Sequence, residues 1–294
     1  MKDYCQRKLT YTNDKLIALS GLAHDQYERE GQSGASLKYY KGKYAAGLWE
    51  VDMPSALLWR THQYPVDKTQ FRNAPSVEPP QRPSEYRAPS WSWASVDGHV
   101  SYDSQMLHNS VIPQGIWLKD DPPSPRETSE YDFGAFRVQE IATVARSSDL
   151  MGAVSAGQIT LIGLVAAAIV DEEHHTTSRT GLSSTYSWLR DLDEFVVGAL
   201  LVDVRDEVRP SMRIYCVSVR DEQDGAEVEI PTELDEVNRG QVGGHSERNE
   251  MIMGLGLAET GGEGDGRVFR RVGLVRWVRK ELFVGKEAST VKIL

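Results

Sequence analysis

The run Asp171-Glu-Glu-His-His175 contains the residue types in this sequence that could most directly hold a metal ion. Glu172 with His174 or His175 would supply a carboxylate and an imidazole, as a metal-dependent hydrolase requires. Metal ligation usually needs three or four convergent groups, and no second His or Cys pair with metal spacing lies nearby. The favoured interpretation is a solvated loop at the end of a strand, so we predict no metal ligand here.

Three glycine or serine motifs could in principle serve a nucleotide or a nucleophile. Gly254-Leu-Gly256 is followed by Glu259 where a dinucleotide fingerprint needs its third glycine, and the stretch Gly261–Gly266 lacks the Lys-Ser/Thr pair of a phosphate loop. Ser20-Gly21 has no upstream glycine of a nucleophile elbow. We therefore predict turn glycines, no catalytic residue, no cofactor-binding residue and no cofactor, which means that the chain is not an enzyme.

Aromatic side chains offer a second kind of site, because their faces bind sugars and nucleobases. Five of the tryptophans are candidates for such a surface: Trp91, Trp93, Trp117, Trp188 and Trp277. Burial in a core is the commoner fate of aromatics at strand spacing, and it is the favoured interpretation for Trp91 and Trp93. A β-domain that binds a glycan or a small molecule through exposed aromatics remains the alternative function.

A local basic patch follows near the end of the chain. Its members are Arg270, Arg271, Arg276, Arg279 and Lys280. Alternating charges on a strand pair are more often a solvated face than a ligand site, so we expect these side chains to face water.

The charge balance of the chain argues against nucleic acid as a partner. Lys and Arg number 33 against 43 Asp and Glu, which gives a net charge of -10. Such a surface repels the phosphate backbone instead of neutralising it.

The cysteines and the apolar runs predict a cytoplasmic protein without a membrane span. Two cysteines, Cys5 and Cys216, cannot form the disulfide framework of a small secreted domain. The N-terminus shows no apolar secretory signal. The longest apolar run, Ile159–Val170, is shorter than the roughly 20 residues that span a bilayer.

The elements that must position these residues centre on Arg87–Gly98, which reads Arg-Ala-Pro-Ser-Trp-Ser-Trp-Ala-Ser-Val-Asp-Gly. In an extended chain Trp91 and Trp93 point to the same face, which must then be buried. Asp97-Gly98 is a strong reversal signal. The segment is therefore predicted to be the first strand of a hairpin.

Residues 1–63 are predicted to form a helical N-terminal region. One helix is expected to end near Leu9, and a second to run from about Lys15 to His24 after the capping residues 12–14, with Leu16, Leu19, Leu22 and Ala23 on its apolar stripe. A loop is expected over Gln26–Lys43. Apolar residues between Leu48 and Trp59 recur at helical spacing and predict a third helix.

Residues 64–86 are predicted to be a proline-rich connector, and residues 87–294 a β-rich domain. Tyr64 to Pro89 holds six of the thirteen prolines. The predicted strands cover Phe136–Val144, Gln158–Val170 after a turn at Ser155–Gly157, Phe195–Val204, Met212–Val219, Met251–Ala258, Arg267–Val278 and Lys286–Leu294. Phe195–Val204 could also be read as part of a helix, but its valines favour a strand.

The expected fold class is thus α+β, with short N-terminal helices packed on a mainly antiparallel β-sandwich or barrel-like domain. Gln158–Val170 is apolar on both faces, with Ile159 and Leu161 on one and Ile162 and Leu164 on the other, as is typical of a central strand. Loops are expected over Lys119–Ser129 and Pro231–Asn249, which are polar and rich in proline or glycine.

Three stretches together resemble the region that follows the heterokaryon-incompatibility (HET) domain in proteins of filamentous fungi. Tyr4–Ala23 is similar to the recurring pattern YSxRxLTxxxDKLPALSGIA, with Ile17 in place of its proline. Tyr44–Trp49 with Leu57–Trp59 is similar to YxAGLWxxxLxxxLLW. Arg87–Gly98 looks like RAPSWSWASVDG almost letter for letter. We call these stretches the first, second and third blocks.

The resemblance implies a structural or recognition region of a HET-domain protein, acting in non-self recognition and regulated cell death, with no established reaction. In such proteins the HET domain lies upstream of the first block, whereas Met1 lies only a few residues before that block here. We therefore expect the HET domain to be missing, and none of its functional residues can be assigned. The expected partners are other protein domains, including that upstream HET module, with no nucleic acid and no membrane.

Overall fold

The computed structural model of the protein describes residue 4 and residues 9–32, 42–61, 79–102, 136–177, 183–221, 251–262 and 266–294. The helix α1 spans Ile17–Gln32. The twelve strands in chain order are β1 (Tyr44–Ala45), β2 (Leu48–Trp49), β3 (Trp59–Thr61), β4 (Val100–Tyr102), β5 (Arg137–Ala145), β6 (Val154–Thr177), β7 (Ser183–Arg190), β8 (Val196–Val202), β9 (Arg213–Asp221), β10 (Met251–Gly261), β11 (Val268–Arg279) and β12 (Ala288–Ile293).

Six of these strands close on themselves. Antiparallel pairings run from β6 to β9, β10, β11, β8 and β7, and β7 pairs back to β6, which makes a ring. The β12 strand lies between β6 and β11, and β5 pairs along the first half of β6. The α+β class is confirmed, and of the two predicted β-architectures the structure has the barrel-like one.

Apolar residues alternate between the inside and the outside of this ring. An inner cluster contains Val197, Leu200 and Val202 of β8, while Val196, Ala199 and Leu201 of the same strand belong to an outer cluster. Leu200 crosses the interior, because a Cβ built on Gly256 of β10 would lie 2.5 Å from its Cδ1 atom. All seven residues of β8 are buried, so this strand is covered by protein on both of its faces.

The outer face of the ring is covered by the N-terminal layer, which we define as residues 42–61 and 79–102. Its buried residues join ring residues in the outer cluster, and they include Trp59, Trp91 and Trp93. The layer contains two small antiparallel pairs, β1 with β2 and β3 with β4. The predicted division of the chain at residues 63 and 86 stays a prediction.

Most predicted strands of the β-rich part agree with the structure. Phe195–Val204 forms a strand and not a helix, and the predicted hairpin of Met251–Ala258 with Arg267–Val278 is formed by β10 and β11. The predicted turn at Ser155–Gly157 is wrong, because these residues lie in β6 and pair with β5. Val144, at the end of the predicted strand Phe136–Val144, is exposed.

Several predicted N-terminal elements are wrong. The helix expected between Leu48 and Trp59 is replaced by β2, two short 3-10 turns and β3. The α1 helix continues to Gln32, past the predicted loop start at Gln26, because the intervening residues are mostly good helix formers without a proline. Leu22 is exposed, although Leu16 and Ala23 of the same predicted stripe are buried.

Other predictions fall outside the described residues. The loops at Lys119–Ser129 and Pro231–Asn249 lie there, as do Trp117, most of the helix expected to end near Leu9 and the connector up to residue 78.

The buried thiol of Cys216 provides a probe of the inner cluster. Burial raises its pKa from 9.0 to about 12. In the unfolded chain the thiol ionises above its ordinary pKa, whereas in the folded ring it stays protonated, so unfolding releases a proton at alkaline pH. The contribution of this thiol to the unfolding free energy is therefore fully present below about pH 8, and it decreases as the pH rises towards about 12.

We predict that the unmodified protein loses about 1.4 kcal/mol more unfolding free energy between about pH 8 and pH 10 than Cys216→Ala does. Chemical denaturation at each pH measures this difference. All other side chains are the same in the two proteins, so their contributions cancel in the comparison. Equal pH slopes for the two proteins would mean that the Cys216 thiol is not protected by the ring.

Candidate functional site

A fully buried ion pair lies where β11 meets the N-terminal layer. Asp203 follows β8, and its Oδ2 accepts a hydrogen bond from Arg271 Nε at 3.0 Å, while Oδ1 accepts one from Nη2 at 3.2 Å. Arg271 Nη1 also donates to the carbonyl oxygen of Leu57, and Nη2 donates to that of Trp59. The guanidinium also stacks on the Trp59 ring, 3.5 Å from its centroid. All three nitrogens of this guanidinium thus donate a hydrogen bond.

A second set of charges surrounds the pair and is less deeply buried. Arg82 of the N-terminal layer donates to Glu207 at 3.2 Å and to the Arg271 carbonyl at 3.0 Å, and it also bonds to Ser95. Its Nη2 lies 3.8 Å from Asp203. Arg270 donates to the same Glu207 at 2.6 Å. We call the set formed by Arg82, Asp203, Glu207, Arg270 and Arg271 the arginine–carboxylate centre.

Burial dominates the ionisation of the central pair. It raises the pKa of Asp203, and the charges of Arg271 and Arg82 oppose that shift. It lowers the pKa of Arg271, with Asp203 opposing. Removing either partner would leave the other charge in an apolar surrounding, which costs far more than a surface charge.

The third block does not form the predicted hairpin strand. Residues Trp93–Ser95 form a 3-10 turn, capped by the Ser92 side chain, which accepts from the Ala94 amide at 3.0 Å. The β4 strand that follows Gly98 pairs with β3. The predicted burial is confirmed, since Trp91 and Trp93 are both fully buried. Hydrogen bonds between its side chains and the other blocks stabilise this turn, so the third block does not adopt the strand that its alternating side chains predict.

The second block presents two carbonyl oxygens to the third. Ala46 and Gly47, with φ of 47° and 91°, form the two-residue turn between β1 and β2, as a type I′ turn requires. Ser92 Oγ donates to the Ala46 carbonyl at 2.5 Å, and Trp93 Nε1 donates to the Gly47 carbonyl at 3.0 Å. A Cβ on residue 47 would lie 2.8 Å from Trp93 Nε1, so glycine is needed there.

The first block also contacts the third block. Lys15 Nζ donates to the Val96 carbonyl at 2.6 Å and lies 5.2 Å from the centroid of the Trp93 ring. Arg87 donates to the Ala94 carbonyl at 2.7 Å and to the Thr12 carbonyl at 2.9 Å. The three stretches singled out in the sequence therefore pack into one unit.

The acidic and histidine run lies within β6 and not in the predicted strand-end loop, because β6 continues to Thr177 and pairs with β7. Its carboxylates are engaged by arginines: Asp171 with Arg190 at 2.6 Å, and Glu173 with Arg205 at 2.6 Å. Burial disfavours the charge of Asp171, but hydrogen bonds from the Glu172 amide and Arg190 outweigh it and lower its pKa. These contacts favour structural ion pairs over metal ligation.

His174 belongs to an aromatic cluster on the outer face of the ring. Its ring lies 6.0 Å from that of Tyr186 and 5.8 Å from that of Trp188, and Tyr186 lies 6.3 Å from Trp277. Trp277 has a φ of 53° at an irregularity where two residues of β11 oppose Met253. Tyr186, Trp188 and Trp277 are buried, so they present no open stacking surface.

The glycine motifs serve close packing. The prediction of turn glycines is wrong for Gly254 and Gly256, which lie inside β10. A Cβ on Gly254 would meet the Val217 carbonyl oxygen at 2.0 Å, and Gly256 faces Leu200. Gly262 turns the chain between β10 and β11 with a φ of 86°, as predicted for a turn glycine. Ser20 donates to the Ile17 carbonyl within α1 at 2.9 Å and is not at the elbow of a strand.

The prediction that the basic patch faces water is wrong for Arg271 and Arg276, which are buried. Arg276 lies 5.1 Å from the centroid of the Trp277 ring. The arginine–carboxylate centre was missed because a charged residue is normally exposed. A signal was present in Leu201-Val-Asp-Val204, where one carboxylate stands among apolar strand residues and therefore needs a buried partner.

Within the described ranges, no three His, Cys, Asp or Glu side chains are grouped so as to hold a metal ion. No helix in those same ranges is long and apolar enough to cross a bilayer. No family model matches the chain, and neither a curated protein nor a solved structure matches it.

We predict that Trp93→Phe lowers the unfolding free energy by about 1 kcal/mol more than Trp91→Phe. Both rings are fully buried, but only the Trp93 indole donates to a carbonyl, whereas Trp91 Nε1 has no hydrogen-bond partner among the described residues. Chemical denaturation of the two variants measures the difference. A loss at Trp91 as large as that at Trp93 would contradict the assigned role of the Gly47 carbonyl.

For the central ion pair, Arg271→Met and Asp203→Asn should each cost about 3 to 5 kcal/mol, because each leaves an uncompensated buried charge. The double variant should lose clearly less than the sum, since neither charge then remains. Arg190→Met and Asp171→Asn are the matched control, because that pair is partly exposed and should contribute below about 1 kcal/mol. Strict additivity at the buried pair would argue against direct coupling.

Proposed function

We propose that the chain is a non-catalytic structural or recognition region of a HET-domain protein, acting in non-self recognition and regulated cell death. It works in the cytoplasm together with other protein domains, among them a HET domain. Neither nucleic acid nor membrane is a partner. The proposal rests on the resemblance of the three blocks and on what those blocks do in the fold.

The observation that supports it most is the mutual packing of the three blocks. The Trp59 indole of the second block donates to the Trp91 carbonyl of the third at 2.9 Å, and Lys15 of the first block reaches Val96 of the third. Residues that are far apart in the sequence are thus needed together by one structural unit. A shared unit of this kind explains why the three patterns occur together in the proteins that this chain resembles.

The chemistry of the centre also favours a structural role over a catalytic one. Arg271 donates hydrogen bonds to Asp203 and to two backbone carbonyls. The side chains of Arg271 and Asp203 are both fully buried. A catalytic group must reach a substrate, whereas these groups reach only the N-terminal layer and the ring.

The alternative of glycan or small-molecule binding through exposed tryptophans receives less support. All six tryptophans in the described ranges, at positions 49, 59, 91, 93, 188 and 277, are buried. We therefore favour protein domains as partners.

The test uses the full chain and a purified HET domain taken from a filamentous-fungal protein that carries the same three blocks. Sedimentation or calorimetric titration should detect saturable association. Because the HET domain precedes the first block in such proteins, the contact should involve α1. Leu22→Glu should weaken association at least about tenfold, the loss of one well-placed apolar contact.

Leu192→Glu provides the control. Leu192 lies in the β7–β8 connection and is 69% exposed, against 66% for Leu22, so the two substitutions perturb equally accessible leucines. Association that is absent, or that both variants weaken equally, would count against a HET domain as the partner of this region.

A further inference from the structure

The β12 strand fills a slot in the sheet next to the third block. Residues Ala288–Ile293 pair antiparallel with Leu164–Ile159 of β6 along their whole length, but they pair with β11 only at Val268 and Phe269, in parallel. Without β12, the backbone groups of β6 over this stretch would face no strand on that side, which would leave an open edge.

The end of β12 connects the third block to the ring. The Leu294 carbonyl accepts hydrogen bonds from the amide of Ser90, at 2.9 Å, and from the Ser90 hydroxyl. The Leu294 amide donates to the Phe269 carbonyl at 3.0 Å. Ser90 Oγ in turn accepts from the Arg271 amide at 3.0 Å. If β12 leaves, Ser90 therefore loses the acceptor of the two hydrogen bonds that it donates.

β12 is held by less burial than the strands of the ring. Its first three residues are exposed, and only Val291 and Ile293 are buried, whereas every residue of β8 is buried. Segments with few buried apolar contacts open locally at lower free energy than the core that surrounds them.

We infer that β12 is a strap that opens and closes as one unit with Ser90 of the third block, while the ring stays closed. Its release uncovers the β6 edge at residues 159–164 and frees the Ser90 amide and hydroxyl. The opening of β12 depends only on contacts within the fold and not on the family proposed for the chain.

A disulfide across the slot tests this in the full chain. Thr290 and Ile162 are cross-strand partners, and such pairs lie at the Cα separation that a disulfide needs. Thr290→Cys with Ile162→Cys is prepared in a Cys5→Ser background, and the reduced form of the same protein is the control. Hydrogen exchange is measured at the amides of Leu294, Ser90 and Asp203. The Asp203 amide is the reference for the ring, because it donates to the Val272 carbonyl of β11 at 2.8 Å.

In the reduced protein the Leu294 and Ser90 amides should exchange faster than the Asp203 amide. Oxidation should slow both by at least about tenfold and leave Asp203 unchanged. The strap is refuted if Leu294 exchanges as slowly as Asp203 before oxidation, because β12 then opens only with the ring. It is also refuted if oxidation protects Leu294 without protecting Ser90.

A second pair of variants makes the same test without the disulfide. Ser90→Ala removes the hydroxyl that bonds to Leu294, whereas Ser289→Ala removes an exposed hydroxyl of β12 that bonds only to Glu287 nearby. Exchange at Leu294 should quicken about tenfold in the first variant and stay unchanged in the second. No change in Ser90→Ala would overturn the coupling.

Discussion

The ion pair between Arg271 and Asp203 is the constraint on which the rest of this structure depends. Two charges in an apolar interior are tolerated only when their hydrogen bonds are complete. The ring supplies the carboxylate, but the carbonyl oxygens of Leu57 and Trp59 come from the N-terminal layer. Hydrophobic contact alone would allow the layer to slide on the ring, whereas this pair permits one position. The two parts of the fold therefore specify each other.

The sequence predicted the ring better than the layer, for a physical reason. Strands such as Phe195–Val204 and the β10–β11 hairpin carry β-branched residues and glycine turns, which are local signals. The third block also alternates locally, yet its conformation is set by hydrogen bonds that it donates to Ala46 and Gly47 and by one that its Val96 carbonyl accepts from Lys15. These partners lie tens of residues away, so tertiary contacts decided its backbone.

The same distinction applies to the candidate site. Burial of Trp91 and Trp93 could be predicted, because large aromatics at close spacing need an apolar surrounding. The role of Arg271 could not, because its carboxylate partner lies 68 residues away in the sequence and an arginine near other cations suggests a solvated face. What distinguishes it from Arg270 is the apolar packing around it, which becomes visible only in three dimensions.

The apolar faces of the ring strands also bear on how the chain is made. Val-Val-Gly-Ala-Leu-Leu-Val202 is buried throughout, and an uncharged segment of this kind is prone to cross-β aggregation when it is exposed. The residues that cover the outside of the ring, 42–61 and 79–102, precede β8 in the chain. Because synthesis proceeds from the N-terminus, the ribosome releases the protective layer before it releases the strands that the layer must shield.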